Sequence, residues 1–290
     1  MKILLLGASG QVGWELRRTL SVLGEIVACT RDASADRRLD VADLDDVRRT
    51  LDVVTPDVIV NAAAYTAVDK AQSEPELARR INGEMPSLLG DWAARQHALV
   101  MHYSTDYVFD GGKVDAYVET DAPAPINVYG DSKRSGDEAL LASGCDALIL
   151  RVAWVYGRRG SNFLLTMQRL MAERDKVRVV SDQIGAPTWG RSVAQATAAV
   201  LARLPTGADR RARCGVYHLA PQGEASWYDF AVAIRDAGGF DCSVEPIPSS
   251  EYPTLAGRPA NSRLDSDKLA HTFGVRLPHW RHDLDLCLAD

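Results

Sequence analysis

Residues 2–13 read Lys-Ile-Leu-Leu-Leu-Gly-Ala-Ser-Gly-Gln-Val-Gly. The apolar run that ends at Gly7 predicts a buried strand, and the pattern through Leu16, Leu20 and Leu23 predicts that a helix follows. Glycines at such a turn let backbone amides approach a pyrophosphate, whose charge the helix N-terminus favours. The stretch therefore predicts a dinucleotide-binding turn, with the alternative of a tight strand–helix turn without ligand. The glycines of this turn are Gly7, Gly10 and Gly13.

The residues after the second predicted strand, Glu25–Thr30, bear on the choice of dinucleotide. An acidic residue there binds the ribose 2′-hydroxyl of NAD, whereas an arginine accommodates the 2′-phosphate of NADP. Arg31 favours NADPH, but the adjacent Asp32 leaves NADH open, and a surface arginine is the alternative. Asp40 is a candidate for the adenine edge, with helix capping as its rival role, and Asp43 is predicted to cap the next helix.

Further buried strands alternate with helices along the first half of the chain. The predicted strands cover residues 56–61, 98–103 and 147–151, and a long helix covers 76–96. Alternation at this interval predicts an α/β fold with a doubly wound parallel sheet of the Rossmann type. The small residues Ala62, Ala63 and Ala64 leave room for a flat ligand at a strand's carboxyl end, where such sheets bind ligands.

A hydroxyl, a phenol and an amine follow the glycine turn in order. Thr105 ends a predicted strand, where its hydroxyl is placed to hold a carbonyl oxygen. Tyr129 and Lys133 are four residues apart on a predicted helix that runs to Ala142, so they share one face. A nearby ammonium favours phenolate, which makes the phenol a stronger general acid. The alternative for the Tyr-x-x-x-Lys pair alone is an ordinary solvated helix face.

The composition excludes several classes of protein. The chain has 290 residues and a net charge of -6 without a long basic run, which argues against nucleic-acid binding. Its five cysteines are scattered and form no Cys-x-x-Cys pair, so we expect reduced thiols and a cytoplasmic protein. No apolar stretch is long enough to predict a membrane span or signal peptide.

Several longer stretches together resemble a known family. Residues 61–71 read Asn-Ala-Ala-Ala-Tyr-Thr-Ala-Val-Asp-Lys-Ala, and residues 104–109 read Ser-Thr-Asp-Tyr-Val-Phe. The other matching stretches are 7–16, 127–130, 154–156, 182–188 and 258–264. The chain resembles the extended short-chain dehydrogenase/reductase superfamily, and within it the dTDP-4-dehydrorhamnose reductases, over nearly its whole length.

The resemblance implies a division of the chain. Residues 1–155 are expected to form the dinucleotide-binding domain, with later segments returning to it. Residues 156–290 are expected to form mainly a smaller, interleaved α/β domain for the sugar nucleotide. Within this half the patterns predict helices over 162–173, 195–204 and 227–237, strands over 176–180 and 216–219, and a polar loop over 205–213. Residues 246–259, with four prolines, are interpreted as an ordered loop that lines a site, with a mobile flap as the alternative.

The resemblance also implies a reaction. It is the reduction by NADPH or NADH of the C4 ketone of dTDP-4-dehydro-L-rhamnose to dTDP-L-rhamnose, the last step in making this precursor of cell-envelope polysaccharide. Thr105 is expected to hydrogen-bond the ketone oxygen and Tyr129 to donate the proton. Lys133 is expected to lower the pKa of Tyr129 and to bind the nicotinamide ribose.

Two sets of contacts follow from the same resemblance. The cofactor set comprises Gly7, Gly10, Gln11, Val12 and Gly13 of the glycine turn, with Arg31, Asp40, Val41, Ala62, Ala63, Ala64, Tyr65, Thr66, Tyr129 and Lys133. The sugar-nucleotide set comprises Thr105, Asp106, Trp154, Arg258, Asn261 and Arg263. A core aromatic is the alternative for Trp154, and surface salt bridges are the alternative for the arginines, whose guanidinium groups suit a diphosphate.

One departure from the family concerns metal. Some members are described as Mg²⁺-dependent, with acidic residues at a dimer contact, and Glu15 and Asp290 match that pattern. Arg191 stands where a further carboxylate is needed, and a guanidinium opposes Mg²⁺ binding. Bound Mg²⁺ and a metal-bridged dimer are therefore disfavoured, and the chain is expected to be a monomer or a homodimer.

Three other functions remain open. A sugar-nucleotide dehydratase or epimerase is disfavoured, because dehydratases place a glutamate where this chain has Tyr107. A non-catalytic NADP-binding subunit, resembling the regulatory β subunit of methionine adenosyltransferase, would need no catalytic set. A third alternative is a reductase of a related dTDP-4-keto-deoxysugar.

Overall fold

The computed structural model describes residues 1–32 and 34–290. The strands are β1 (Lys2–Leu6), β2 (Glu25–Thr30), β3 (Arg37–Arg38), β4 (Val58–Asn61), β5 (Leu99–Thr105), β6 (Asp146–Val152), β7 (Val155–Tyr156), β8 (Lys176–Val180), β9 (Ile184–Gly185), β10 (Thr188–Trp189), β11 (Gly215–His218), β12 (Ala225–Ser226) and β13 (Ser243–Ile247). The helices are α1 (Gln11–Thr19), α2 (Leu44–Val54), α3 (Val68–Ala71), α4 (Pro75–Arg79), α5 (Met85–Gln96), α6 (Val128–Ala142), α7 (Phe163–Glu173), α8 (Gly190–Arg203), α9 (Ala208–Arg211), α10 (Trp227–Gly238), α11 (Asp267–Phe273) and α12 (Trp280–Ala289). A π-helical turn (Arg80–Glu84) joins α4 to α5, and 3₁₀ turns cover Asp106–Val108 and Ser249–Glu251.

The main sheet has seven parallel strands in the order β11-β6-β5-β4-β1-β2-β3. The chain builds outward from β1 in one direction through β2 and β3. It then returns to the other side of β1 and builds outward again through β4, β5 and β6. The predicted doubly wound Rossmann-type sheet is therefore confirmed. A crevice is expected at the carboxyl ends of β1 and β4, where the strand order reverses.

Both faces of this sheet are buried. Ile3 and Leu5 of β1 belong to a core formed with α1 and α8, whereas Leu4 and Leu6 belong to a core formed with α2 and α5. All four of these side chains are inaccessible to solvent. Alternate residues of one strand thus meet helices on opposite sides, which explains why parallel strands read as continuous apolar runs.

A third core lies outside the two faces of the sheet. It is formed by side chains of α7, β8, α10, β13 and α12, with the bulky Phe230 and Trp280 fully buried. Strands β8 and β13 pair in parallel within this part of the molecule. Strand β11 comes from the same half of the sequence but pairs with β6 at the edge of the main sheet.

The structure differs from the predicted elements in several places. Helix α1 ends at Thr19 rather than continuing to Leu23, because Leu20 and Leu23 already belong to a turn closed by a backbone hydrogen bond. Helix α8 begins at Gly190, five residues before the predicted start at 195. The predicted loop over 205–213 contains α9, and the predicted loop over 246–259 begins inside β13. Helices α11 and α12 were not predicted.

No helix in the described part of the chain is both long and apolar enough to cross a bilayer.

Candidate active site

The glycine turn lies at the carboxyl end of β1. Gly7 has φ +75°, and a Cβ at this position would lie 2.7 Å from the backbone of Ala62 after β4. A Cβ on Gly13 would lie 2.1 Å from the carbonyl oxygen of Gly7. Glycine is therefore required at both positions, because any larger residue would separate α1 from the sheet edge or strain the turn.

The N-terminus of α1 has room and chemistry for a diphosphate. Gly10 is its N-cap residue, and among the described residues no side chain caps the helix. Its first amides thus remain available to an anion, and the helix dipole favours negative charge there. The glycine turn therefore fits the pyrophosphate of a dinucleotide.

The residues beyond β2 lie at the same edge of the sheet. Arg31 is exposed and follows the last residue of β2 directly. The Asp32 carboxylate accepts hydrogen bonds from Thr30 and Ser34, which hold the pKa of Asp32 below its usual value. Arg31 is thus a basic group directly after β2, while the Asp32 carboxylate already accepts hydrogen bonds from its neighbours.

Asp40 does not cap α2. Its carboxylate accepts a hydrogen bond from the Ala42 amide at 3.0 Å within a turn. The cap is Asp43, whose side chain accepts from the Asp46 amide as predicted. Asp40 is exposed and the adjacent Val41 is half-buried.

The segment after β4 is held by a residue that sequence reasoning missed. Asn82, in the π-helical turn, accepts a hydrogen bond from the Tyr65 amide and donates to the Tyr65 carbonyl. It also donates to the Ser132 hydroxyl on α6. Asn82 thus ties the predicted cofactor segment to the helix that carries Tyr129. Its signal in the sequence is an Asn-Gly pair inside a helical pattern, which ordinarily marks a turn.

Thr105 is the last residue of β5, as predicted. Its hydroxyl donates to the Asp106 carboxylate at 2.8 Å and accepts a hydrogen bond from the Tyr107 amide. Burial raises the pKa of Asp106 to about 6, although the hydroxyls of Ser262 and Thr105 act in the opposite direction. The Asp106 carboxylate therefore orients the Thr105 hydroxyl at the carboxyl end of β5.

Tyr129 lies in the first turn of α6, next to Thr105. Burial raises the pKa of Tyr129, the Thr105 hydroxyl lowers it, and Asp106 and Asp137 raise it further. The Tyr129 ring also meets the Tyr107 ring edge-to-face, with 5.8 Å between centroids. Tyr129 therefore carries its proton at neutral pH, as a proton donor must.

Lys133 is fully buried one turn further along α6. Its amine donates to the Tyr103 carbonyl at 2.6 Å and lies 3.1 Å from Nε2 of His102. In the structure the amine is thus directed into the sheet, towards Tyr103 and His102. The lowering of the Tyr129 pKa by Lys133 stays a prediction.

A cavity of about 1050 Å³ opens beside Tyr107. Its walls come from α7, α10 and β8 and from the proline-rich segment before Arg258. The sequence interpretation of residues 246–259 as a segment lining a site agrees with this position. Tyr252 and Leu255 of that segment are exposed.

Trp154 adjoins this region in a strained conformation. Its φ of 46° is rare for a bulky residue. Its ring stacks on Trp227 with centroids 3.6 Å apart, and a Cβ on Gly185 would lie 2.6 Å from it. The ring is half-buried rather than part of a closed core. Strain retained at such a position is typical of functional sites.

The structure places three of the predicted sugar-nucleotide contacts, Arg258, Asn261 and Arg263, in different surroundings. Arg258 lines the cavity and pairs with Asp69 at 2.7 Å. Arg263 pairs with Glu224 and also contacts Asn261. The Asn261 amide donates to backbone carbonyls of the loop at 113–115. Arg258 is therefore the arginine placed at the cavity, while Asn261 and Arg263 hold neighbouring chain segments.

The residues considered for Mg²⁺ do not fit the ion. Arg191 contacts Glu15 at 3.2 Å and makes two contacts with Asp290, at 2.6 and 2.8 Å. The guanidinium thus occupies both carboxylates, whereas Mg²⁺ requires carboxylate and water oxygens around it. Within residues 1–32 and 34–290, no group of three or more His, Cys, Asp or Glu side chains is arranged to hold a metal ion.

Comparisons with known proteins assign the chain to a family. The family model described as the RmlD substrate binding domain matches residues 1–290. A dTDP-4-dehydrorhamnose reductase of Burkholderia thailandensis is 46% identical, over 100% of this chain and 99% of the relative. The crystal structure of such a reductase from Clostridium acetobutylicum superimposes with a TM-score of 0.91 at 34% identity, covering 100% of this chain and 99% of that one. That of the Bacillus anthracis reductase, in complex with NADP, gives a TM-score of 0.89 at 30% identity, covering 99% and 98%. The chain therefore belongs to the family described as the RmlD substrate binding domain.

Proposed function

We propose that this protein is an NAD(P)H-dependent oxidoreductase that reduces the C4 ketone of dTDP-4-dehydro-L-rhamnose to dTDP-L-rhamnose. The observation that carries the proposal is the position of Thr105 beside Tyr129, at the sheet edge that also holds the glycine turn. The family of the chain and the NADP in the Bacillus anthracis relative support it. Bound NADPH or NADH would supply the hydride.

The protein's own groups then have distinct roles. The glycine turn and the amides of α1 bind the diphosphate, with Arg31 near the adenosine ribose. Thr105 hydrogen-bonds the ketone oxygen, after its hydroxyl turns away from the Asp106 carboxylate that it contacts in the structure. Tyr129 donates its proton to the oxygen that becomes a hydroxyl, and its burial keeps that proton in place until then.

The cavity beside Tyr107 is the proposed sugar-nucleotide site. It is large enough for such a ligand, and Arg258 offers a guanidinium for the diphosphate. Residues 156–290 provide most of its wall, which accords with the proposed division into a cofactor domain and a smaller substrate domain. Dehydration is disfavoured, because Tyr107 offers no carboxylate beside the sugar. We propose further that the protein acts in the cytoplasm as a monomer or homodimer, without nucleic acid.

An NADPH-oxidation assay tests the proposal. We expect dTDP-4-dehydro-L-rhamnose to be consumed with matching formation of dTDP-L-rhamnose, identified by chromatography. Parallel reactions with stereoisomeric dTDP-4-keto-deoxysugars distinguish the related reductases, and NADH in place of NADPH reveals the cofactor preference. Absence of oxidation with every ketone, together with stoichiometric capture of a catalytic partner protein, would instead support a regulatory subunit.

A further inference from the structure

A layer of buried polar groups lies behind the Tyr129 end of α6. Lys133, His102 and Asp137 are each at most 2% exposed. Lys133 and Asp137 are one helical turn apart on α6, and His102 is on the neighbouring strand β5. Nε2 of His102 lies 3.1 Å from the Lys133 amine and 3.9 Å from the Asp137 carboxylate. Solvent does not screen these contacts, so each group strongly affects its neighbours.

The tautomer of His102 follows from the residue on its other side. The Asn61 carbonyl oxygen accepts a hydrogen bond from the Ala63 amide, which fixes the orientation of the side-chain amide. The Asn61 nitrogen therefore donates to Nδ1 of His102, at 2.9 Å. Burial and Lys133 hold the pKa of His102 well below its usual value, so the ring is neutral. A neutral ring that accepts at Nδ1 carries its hydrogen on Nε2, the atom that faces Lys133.

This hydrogen opposes the charged form of Lys133. An ammonium group has only donors, so a ring N–H directed at it is unfavourable, whereas a neutral amine accepts that hydrogen. The Asp137 carboxylate acts in the opposite direction. Burial lowers the pKa of Lys133 to about 8, and Asp137 raises it. The Asp137 carboxylate is itself held by Arg151 on β6 and by the Ser104 hydroxyl.

We propose that His102 and Asp137 are positioning residues that set, in opposite directions, whether Lys133 carries its proton. This inference rests on the proposed function and on the role that the family resemblance implies for Lys133, which is to bind the nicotinamide ribose as an ammonium group. The charge on Lys133, and with it cofactor binding, then depends on a layer of side chains that does not touch either ligand. The Asn61 amide takes part indirectly, because it fixes which ring nitrogen of His102 faces the lysine.

Other charged groups around α6 have distinct contacts. Arg151 faces Asp137 from β6, and its positive charge limits how far the carboxylate favours the Lys133 ammonium. Asp106, from the 3₁₀ turn packed on α6, acts on Tyr129. Asn82, from the π-helical turn, contacts Ser132 on the same helix. The direct contacts of the Lys133 amine remain His102 and the Tyr103 carbonyl.

The test measures NADPH affinity from pH 6 to pH 10 by fluorescence, alongside turnover. In the wild-type protein, we expect affinity to fall as pH rises through the Lys133 pKa of about 8. His102→Leu removes the opposing N–H, so the fall moves upward by about one pH unit. His102→Gln restores the wild-type profile, because its amide accepts from Asn61 and donates towards Lys133. Asp137→Asn moves the fall downward by a similar amount.

Glu138→Gln is the matched control, since it neutralises the next residue of α6, a solvent-exposed carboxylate, and leaves the profile unchanged. Asp137→Asn leaves Arg151 without its partner, so circular dichroism must confirm folding. If that variant does not fold, the two His102 variants decide the matter. Unshifted profiles in folded variants, or a shift that Gln does not reverse, would overturn the inference. Shifted profiles in a protein that reduces no ketone would instead refute the proposed reaction and leave the inference standing.

Discussion

At the scale of single residues, the proposed reaction depends on the hydroxyl of Tyr129, which donates the proton. Tyr129→Phe removes the proton donor and keeps the ring and its contact with Tyr107. We expect kcat to fall by about 10²–10⁴-fold, the usual contribution of general acid catalysis, and NADPH affinity to fall much less, because the other cofactor contacts remain. Stopped-flow oxidation of NADPH and equilibrium binding measure the two quantities.

Tyr228→Phe is the control for this substitution, because it removes one phenol hydroxyl from α10, where the ring packs on the third core. Its turnover should match that of the wild type. Comparable turnover in Tyr129→Phe would contradict the assignment of Tyr129 as the proton donor.

Asp106 makes the free energy of unfolding fall as pH rises, which is the opposite of the usual effect of a carboxyl group. Its folded-state pKa of about 6 lies above the unfolded value near 3.8, so the folded protein binds more protons between these values. The contribution of Asp106 to the free energy of unfolding is therefore greatest below pH ~4 and is lost as pH rises through ~6. Asp106→Asn should stabilise the protein at pH 8 by about 1–3 kcal/mol and reduce turnover. Urea unfolding at several pH values measures the difference.

Asp110→Asn should change the free energy of unfolding in the opposite direction in the same experiment. This exposed carboxylate has a lowered pKa, because it accepts hydrogen bonds from the Gly112 amide and the Tyr117 hydroxyl. Its loss should destabilise the protein at neutral pH and have less effect in acid. If Asp106→Asn and Asp110→Asn changed stability in the same direction at pH 8, the argument for Asp106 would fail.

Residue spacing predicted the positions of Thr105, Tyr129 and the glycine turn at one sheet edge. It did not predict the direction of the Lys133 amine, because that depends on Tyr103 and His102, which come from another strand. Asn261 and Arg263 were grouped with Arg258 because residues 258–264 resemble the family. Their side chains instead contact neighbouring loops, which no pattern within residues 258–264 specifies.

At the scale of elements, the contact between α1 and β1 leaves no space for a side chain. Gly13→Ala would place a Cβ 2.1 Å from the Gly7 carbonyl oxygen, so the helix must shift away from the strand. We expect a loss of about 1–3 kcal/mol in the free energy of unfolding, as for overpacked cores, and weaker NADPH binding. Urea denaturation and isothermal titration calorimetry measure these effects.

Gly157→Ala provides the comparison for stability, since the nearest heavy atom to its added Cβ is 3.9 Å away. Its unfolding free energy should stay close to that of the wild type. Equal stabilities of the two alanine variants would show that the helix tolerates the displacement.

The elements themselves differ in how well their sequences specify them. The sequence of β1 specifies a strand through its uninterrupted apolar run. The start of α2 is likewise specified locally, by the capping Asp43. The π-helical turn between α4 and α5 is not, because its Asn82 satisfies hydrogen bonds of a distant segment rather than of its own helix. Helices α11 and α12 were missed, since their apolar residues are buried by contacts with other elements.

At the scale of the whole molecule, Arg191 joins α1, α8 and the last residue of the chain. Because its guanidinium occupies Glu15 and Asp290, we expect EDTA to leave turnover and thermal stability unchanged. Activity assays and melting curves with EDTA, and with added Mg²⁺ after its removal, measure this. A loss of turnover that Mg²⁺ restores would contradict the structural assignment of these carboxylates.

Alternation of strands and helices was sufficient to predict the fold class, because each parallel strand needs a crossover helix. The pattern predicted a strand near residue 216, yet nothing within that segment specified β6 as its partner in the main sheet. Strand partners at long sequence separation depend on the packing of the completed core, as the third core and its pairing of β8 with β13 also illustrate.

The edge position of β11 has a consequence for synthesis on the ribosome. Strand β6 emerges from the exit tunnel well before β11, so one side of β6 stays unpaired while the intervening chain is made. At about 5–20 residues per second, that interval lasts several seconds, and an uncovered strand edge invites association between nascent chains. Helix α8, which covers one face of the sheet, is also translated within this interval. We therefore expect the nascent protein to depend on chaperones until most of its length has been translated, and a fragment that ends near residue 155 to aggregate, which light scattering of the purified fragment measures.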